Sequence, residues 1–345
     1  MNRSFDREEL NNYSWALMTK RNQIESLING LVIGDALGVP VEFRERGTYV
    51  IRDMTGFGTY NQPLGTWSDD TSLTLCLIEN LYEGGDLSQL LGKFEKYLGG
   101  YLTPWGECFD IGISTSQAIQ RFKKGTPPEL CGGATEFDNG NGALMRIAPL
   151  VITLSDNYNF KEIFELVRRY TVITHRHPRS IVASFVYILV LKIFLNKNVL
   201  EKTLAIVDEI VEKTLMEYDS VYLEEYNRFF KPFINARLFE EPENSIISSG
   251  YVVDTLKAAI WCVGTSQSYE EAVLKAVNLG GDTDTIGSIA GAMAGLRWKH
   301  TSIPDSWIHK LASFDLIEKK KKELLQTLPQ WSQYHSFLKK HGLDM

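Results

Sequence analysis

At 345 residues, with 44% hydrophobic and 23% charged side chains, the chain has the make-up of a soluble globular protein able to bury a substantial core, in one large domain or two. A formal charge of −7 excludes a broad nucleic-acid surface, which needs a basic face. It leaves room for a small anionic substrate, because metal ions and helix N-termini recognise anions locally.

Met1–Asn12 is polar and acidic and lacks the apolar core of a signal peptide. Residues 1–20 read as an N-terminal extension, an ordered cap or a loose tail. One mostly α-helical domain follows over 21–345, since no linker-like shift in composition divides it. Apolar residues recurring at three- and four-residue spacing predict helices over 22–34, 71–83, 87–98, 111–122, 160–173, 178–195, 199–216, 250–263, 269–277 and 284–296. Only residues 48–53 have a strand-like run. The longest apolar stretch, Ile181 to Leu191, spans 11 residues before Lys192, which suits a buried helix and is too short for a bilayer. Residues 217–245 carry aromatics and acids that pack on the domain or form a substrate rim or partner surface. Cys76, Cys108, Cys131 and Cys262 lie far apart with no CxxC pair. They predict no disulfide framework or zinc site, and a reducing, cytoplasmic setting.

Two acidic clusters carry the chemistry: Ser68-Asp69-Asp70-Thr71 after Trp67, and Gly280-Gly281-Asp282-Thr283-Asp284-Thr285. Crowding four carboxylates into a partly dry site costs several kcal/mol unless a cation neutralises them. All-oxygen donors of this kind suit Mg²⁺ or Mn²⁺ rather than zinc. Ser68 and the aspartates are also ordinary N-cap residues, but two adjacent acids and a hydroxyl exceed what a cap requires. In the second cluster the i, i+2 spacing lets both carboxylates reach one ion from a turn. An EF-hand loop fails there because Ile286 and Met293 stand where oxygen ligands are needed. A phosphatase-type DxDx(T/V) fails at Ile286 and lacks a preceding buried strand.

Other segments supply the surroundings. Gly30, Gly34, Ala36 and Gly38 give a helix a face that another backbone can approach closely. The small-residue run after Ile286 has the same character. Glu42 follows Pro40, where the first helix should end, and points into a cavity or to solvent. Asp110 begins a helix, as its N-cap or, if it faces the metals, as an acid/base group. Asn139–Arg146 is a glycine-rich turn entering a helix, with backbone N–H groups suited to a phosphate. His175 and His177 have no third nitrogen or sulfur ligand nearby and read as helix-terminus or substrate contacts.

Taken in order, GLVIGDALGVPVEF, WSDDT, DIG, NGNGALMRIAPL, TH, GYVVDTLKAAIW and NLGGDTDTIGSIAGAMAGL resemble the ADP-ribosylglycohydrolase (DraG-like) family from about residue 24 to residue 310. The resemblance implies a compact all-α domain with a dinuclear Mg²⁺ or Mn²⁺ site at the base of an ADP-ribose cleft. It implies Ser68, Asp69, Asp70, Asp282, Asp284 and Thr285 as metal ligands, with Ser68 where many relatives carry Thr. Asp110, Glu42 and Asp70 become the catalytic acids, and Asn141, Gly142, His175 and Gly281 the substrate contacts. The expected activity is hydrolysis of ADP-ribosyl-arginine on a protein, favoured by Asp110. Serine-linked ADP-ribose, or neutralisation of an ADP-ribosylating toxin by binding as well as hydrolysis, are the alternatives. No nucleic-acid or membrane partner is expected.

Overall fold

The computed structural model describes residues 7–154, 158–196 and 200–340. Among them no strand forms, only isolated bridges such as Gly133 with His175 and Gly140 with Tyr251. The helices are α1 (Arg7–Gly38), α2 (Asp69–Tyr82), α3 (Leu87–Tyr97), α4 (Ile113–Lys123), α5 (Pro128–Cys131), α6 (Leu150–Thr153), α7 (Phe160–Val172), α8 (Pro178–Asn196), α9 (Leu200–Leu215), α10 (Ser220–Glu225), α11 (Val252–Gly264), α12 (Tyr269–Val277), α13 (Thr283–Trp298), α14 (Asp305–Ile308), α15 (Phe314–Gln326) and α16 (Pro329–Lys340).

The organising contact is an antiparallel seam between α1 and α13. A Cβ on Gly34 would lie 2.0 Å from the Gly287 carbonyl oxygen, and one on Gly30 2.3 Å from that of Gly291. At the end of the seam a Cβ on Gly38 would lie 2.4 Å from the Asp284 Cα. Two backbones touch here, which only residues without side chains permit. The seam brings the C-terminal end of α1 against the N-terminal end of α13, so Glu42 and the 282–285 acids share one place. Around it, α8 is buried on every side from Arg179 to Leu191. Stretches of α1 and α8 are long and apolar enough to cross a membrane, but 94% and 78% of those stretches are covered by the rest of the protein.

The chain departs from the sequence expectations in four places. Residues 48–53 form no strand: the Ile51 N–H donates to Asn278 Oδ1 at 2.8 Å and the Ile51 carbonyl accepts from Asn278 Nδ2 at 2.9 Å. One side-chain amide thus supplies the pairing that a neighbouring strand would give. Asn139–Arg146 enters a series of turns rather than a helix, and α6 begins only at Leu150. The α4 N-cap is Gly112, so Asp110 does not cap that helix. Finally, α14, α15 and α16, with the short α5 and α10, form where the apolar spacing predicts no helix. Residues 1–6 of the extension lie outside the described residues, and 7–20 belong to α1. In the 217–245 segment Tyr226, Phe230 and Phe233 are buried, as a packed segment requires.

Candidate active site

The first acidic cluster is set by a residue that sequence reasoning passed over. Asp35, one position after Gly34 on α1, is fully buried and accepts from the Ser68 N–H at 3.0 Å, the Thr71 N–H at 3.1 Å and the Thr71 hydroxyl at 2.5 Å. It thereby satisfies donors at the start of α2 that the helix itself leaves open. Ser68 is the N-cap, its hydroxyl accepting from the Asp70 N–H at 3.3 Å. Asp69 and Asp70 are then free to face the second cluster. Asp70 Oδ2 accepts from the Thr285 hydroxyl at 3.1 Å, joining the two motifs directly. Asp69 Oδ2 accepts from the Gly112 N–H at 3.3 Å.

Glu42 leaves α1 through the single 3₁₀ turn Val39–Val41, and its carbonyl accepts from the Thr59 hydroxyl. The next residue, Phe43, has φ +61° and donates its N–H to the Gly281 carbonyl at 2.7 Å. Gly281, at φ +68°, donates back to Arg44 at 3.0 Å. Both backbone groups of Gly281 therefore fasten the acid-bearing loops together, and it stands outside the cleft lining. The outcome is that Glu42, Asp282 and Asp284 each offer an oxygen, all within 4.8 Å of one another.

Above these acids lies a cleft of about 640 Å³, lined by Glu42, Asp69, Asp110, Asn141, Gly142, His175, Asp282 and Thr285 among others. Ser68, Asp70 and Asp284 are buried and do not line it. Asn141 donates to Asp282 Oδ2 at 2.8 Å and to Thr255 Oγ1 at 2.9 Å, which ties the glycine-rich turn to the second cluster. His177 does not enter the cleft but accepts from the Arg179 N–H at 3.2 Å at the start of α8. The Tyr60 hydroxyl, from the loop before α2, stands near the carboxylates of both Glu42 and Asp110 and favours their charged forms. On the rim, Phe137 is 96% exposed. The turn that carries it is anchored by Arg179, which pairs with Glu136 at 2.6 Å and Glu225 at 2.7 Å and lies over the Phe229 ring.

The electrostatics are those of acids pressed together. Burial, with the charges of Asp110 and Asp282, pushes Glu42 up to about 8. Burial raises Asp110 to about 6, against the opposing influence of the Tyr60 hydroxyl. Asp69, Asp70 and Asp284 are held well above the ordinary carboxyl range, first by burial and then by neighbouring carboxylates. Glu42 Oε2, Asp70 Oδ1 and Asp282 Oδ1 are buried with no hydrogen-bond partner among the described residues. Buried orphan oxygens beside like charges are what a hard cation would satisfy, so the residues fit such an ion.

The ADP-ribosylglycohydrolase family profile matches residues 17–334. The chain belongs to the ADP-ribosylglycohydrolase family. As an ADP-ribosylglycohydrolase family member it is a hydrolase. It is 31% identical over 313 residues to the ADP-ribosylarginine hydrolase Tri1 of Serratia proteamaculans (strain 568), covering 87% of this chain and 78% of that protein. It is 27% identical over 290 residues to the ADP-ribosyl-[dinitrogen reductase] glycohydrolase of Rhodospirillum rubrum, covering 82% and 87% respectively. A solved structure titled as an ADP-ribosylglycohydrolase-related protein complex superposes with a TM-score of 0.72 at 28% identity, over 91% of this chain and 99% of that one.

Sequence reasoning missed Asp35, Tyr60 and Phe137. Asp35 had a usable signal, an acid next to the glycine face of α1. Tyr60 and Phe137 stand in irregular segments, where no periodicity marks a side chain as facing a cavity.

Proposed function

We propose that this hydrolase removes ADP-ribose from modified arginine side chains of proteins, using two divalent cations, Mg²⁺ or Mn²⁺. The observation that carries the reading is the gathering of Glu42, Asp282 and Asp284 oxygens within 4.8 Å of one another, with unpartnered oxygens on Glu42, Asp70 and Asp282, beside a cleft with glycine-rich backbone in its wall. Asp69, Asp70, Asp282, Asp284 and Thr285 would hold the cations, with Glu42 beside them. Ser68 stands in the same array, although its hydroxyl already serves the α2 cap. Bound there, the ions supply Lewis acidity and charge neutralisation toward the hydroxyls of the proximal ribose.

The chain's own groups account for the rest. Hydrolysis adds a water oxygen to the anomeric carbon, breaks the bond to the guanidine nitrogen and delivers a proton to that nitrogen. Glu42 and Asp110 share this proton traffic. Tyr60, beside both, favours their charged forms. Asn141, Gly142 and His175 form the wall that would meet the diphosphate, and the exposed ring of Phe137 offers a flat apolar face near the cleft mouth to a planar base. The arginine linkage is supported by the names of the bacterial relatives and by Asp110 in the cleft. The four free cysteines favour a cytoplasmic setting for the protein and its target.

The test is release of free ADP-ribose from an arginine-ADP-ribosylated protein, with Mg²⁺ and with EDTA. Metal-dependent release that disappears in Asp282→Ala is the expected result. Release only from a serine-linked substrate would replace the linkage. No release from either, with metal bound, would overturn hydrolysis and leave binding to an ADP-ribosylating toxin as the activity to assay.

A further inference from the structure

We infer that Thr174, itself oriented by Arg146, is a positioning residue that fixes the His175 ring in its Nε2–H tautomer and so makes it a one-directional hydrogen-bond donor into the cleft. The inference rests on the reading that this cleft receives an ADP-ribosyl group, whose phosphate and ribose oxygens are the acceptors such a donor would serve.

The protons available around Thr174 decide the tautomer. Arg146 is wholly buried, with its guanidinium 4.9 Å from the centre of the Phe94 ring. Its Nη2 donates to the Tyr170 carbonyl at 3.0 Å and to the Thr174 hydroxyl oxygen at 2.9 Å. A guanidinium has only donors, so the Thr174 oxygen must be the acceptor in that contact. The Thr174 hydroxyl keeps one proton of its own, in a site with no exposure to water. His175 Nδ1 lies 3.0 Å from that oxygen. If Nδ1 carried the ring proton, the Thr174 oxygen would face two donors and its proton would have no described acceptor. With Nδ1 as acceptor the Thr174 proton is placed, and the ring proton resides on Nε2; Arg146 Nε and Nη1 have no described partner with either tautomer.

The other edge of the ring looks into the cleft across two glycines. A Cβ on Gly142 would lie 3.0 Å from His175 Cε1 and 3.5 Å from Nε2, and one on Gly140 would lie 3.5 Å from Nε2. Their missing side chains leave space beside Nε2, next to the turn that carries Asn141, although the ring itself is buried. Burial and the nearby Arg146 charge hold the imidazolium form down to about 3, against a weaker pull from Asp138, so the ring is neutral and its two nitrogens have different roles.

The test uses ¹⁵N-histidine-labelled full-length protein loaded with Mg²⁺, with the His175 resonances identified by their absence in His175→Gln. The wild-type spectrum should show an unprotonated Nδ1 and a protonated Nε2. In Thr174→Val the two nitrogens should move toward averaged shifts, and affinity for free ADP-ribose should fall about tenfold, in proportion to one weakened hydrogen bond. KM for the modified protein should rise similarly with kcat little changed. Thr174→Ser, which restores the hydroxyl and removes only a methyl, should recover both the spectrum and the affinity. A protonated Nδ1 in the wild type, or a Val variant with unchanged tautomer and affinity, would overturn the inference. Absence of ADP-ribose binding to the wild type would overturn the functional reading, while the spectrum still decides the tautomer.

Discussion

Single side chains in this protein act by accepting or holding protons in places where water cannot help. Asp35 is the plainest case, since three donors at the start of α2 converge on its carboxylate. Replacing it with alanine strands those donors, at a cost of about 1–3 kcal/mol for each one that water fails to reach. Asp35→Ala should therefore lower the denaturant midpoint and weaken Mg²⁺ binding together, because the segment it fixes carries Asp69 and Asp70. An unchanged midpoint would mean that α2 is secured elsewhere. Tyr60 makes a second prediction. Its hydroxyl favours the charged forms of Glu42 and Asp110. Tyr60→Phe should raise both carboxyl pKa values, moving the acidic limb of the pH–activity profile to higher pH. A limb that stays in place would separate Tyr60 from the proton traffic.

At the scale of elements, the α1–α13 seam is the part whose geometry tolerates least. Gly34→Ala would place a methyl 2.0 Å from a carbonyl oxygen. Neither helix has a flexible side chain there to give way, so a loss of about 1–3 kcal/mol or more is expected from overpacking, read as a fall in thermal midpoint. Weakened Mg²⁺ affinity should accompany it, since the seam sets the separation between Glu42 and Asp284. The seam was legible in the sequence, because glycine at four-residue spacing on two apolar helices has few other uses. The strand expected over 48–53 was not, because the partner of Ile51 is a side chain, Asn278, more than two hundred positions away in sequence. The C-terminal helices were hidden for a different reason. The Lys319–Lys322 run in α15 looks like a solvated face, yet Lys320 and Lys321 are buried against Glu79, Glu323 and Glu25. Charge reads as surface until its partners, distant in the chain, are known. For the candidate site, the acids themselves were visible as clusters, while the residues that orient them, Asp35 and Tyr60, became visible only once the chain had folded around them.

Across the whole molecule two buried charge systems respond to acid in opposite directions. Burial alone would raise Glu79, but Lys320, Tyr101 and Lys93 overcome it and hold the carboxyl down to about 2. Its contribution to stability is complete above the ordinary value of 4.5 and is lost as the pH falls toward about 2. Lys320→Met, which leaves Glu79 and Glu323 buried without their shared cation, should cost about 3–5 kcal/mol. The acids beneath the cleft behave inversely, with Glu42 at about 8 and Asp110 at about 6. Between the ordinary carboxyl range and these values, the folded state binds more protons than the unfolded one. Stability of the chelated protein should therefore fall as the pH rises from about 5 to about 8. Saturating Mg²⁺ should raise the thermal midpoint most at the alkaline end of that range. A chelated protein whose midpoint is flat or rising from about pH 5 to about pH 8 would contradict the sign.

The contact of α1 with α13 also governs which parts of the chain can be exchanged. Where two helices meet through their carbonyls, the gap between them is the thickness of polypeptide, a quantity that no choice of rotamer adjusts. A chimera that joins the first forty residues of this chain to the remainder of a relative should keep its acids in register if both glycine faces are carried over, however much the surfaces differ. One that brings in a single alanine from either parent should not, because the opposite helix has no smaller residue with which to answer it. The two segments, joined at Gly34 and Gly287 although far apart in sequence, form one heritable unit.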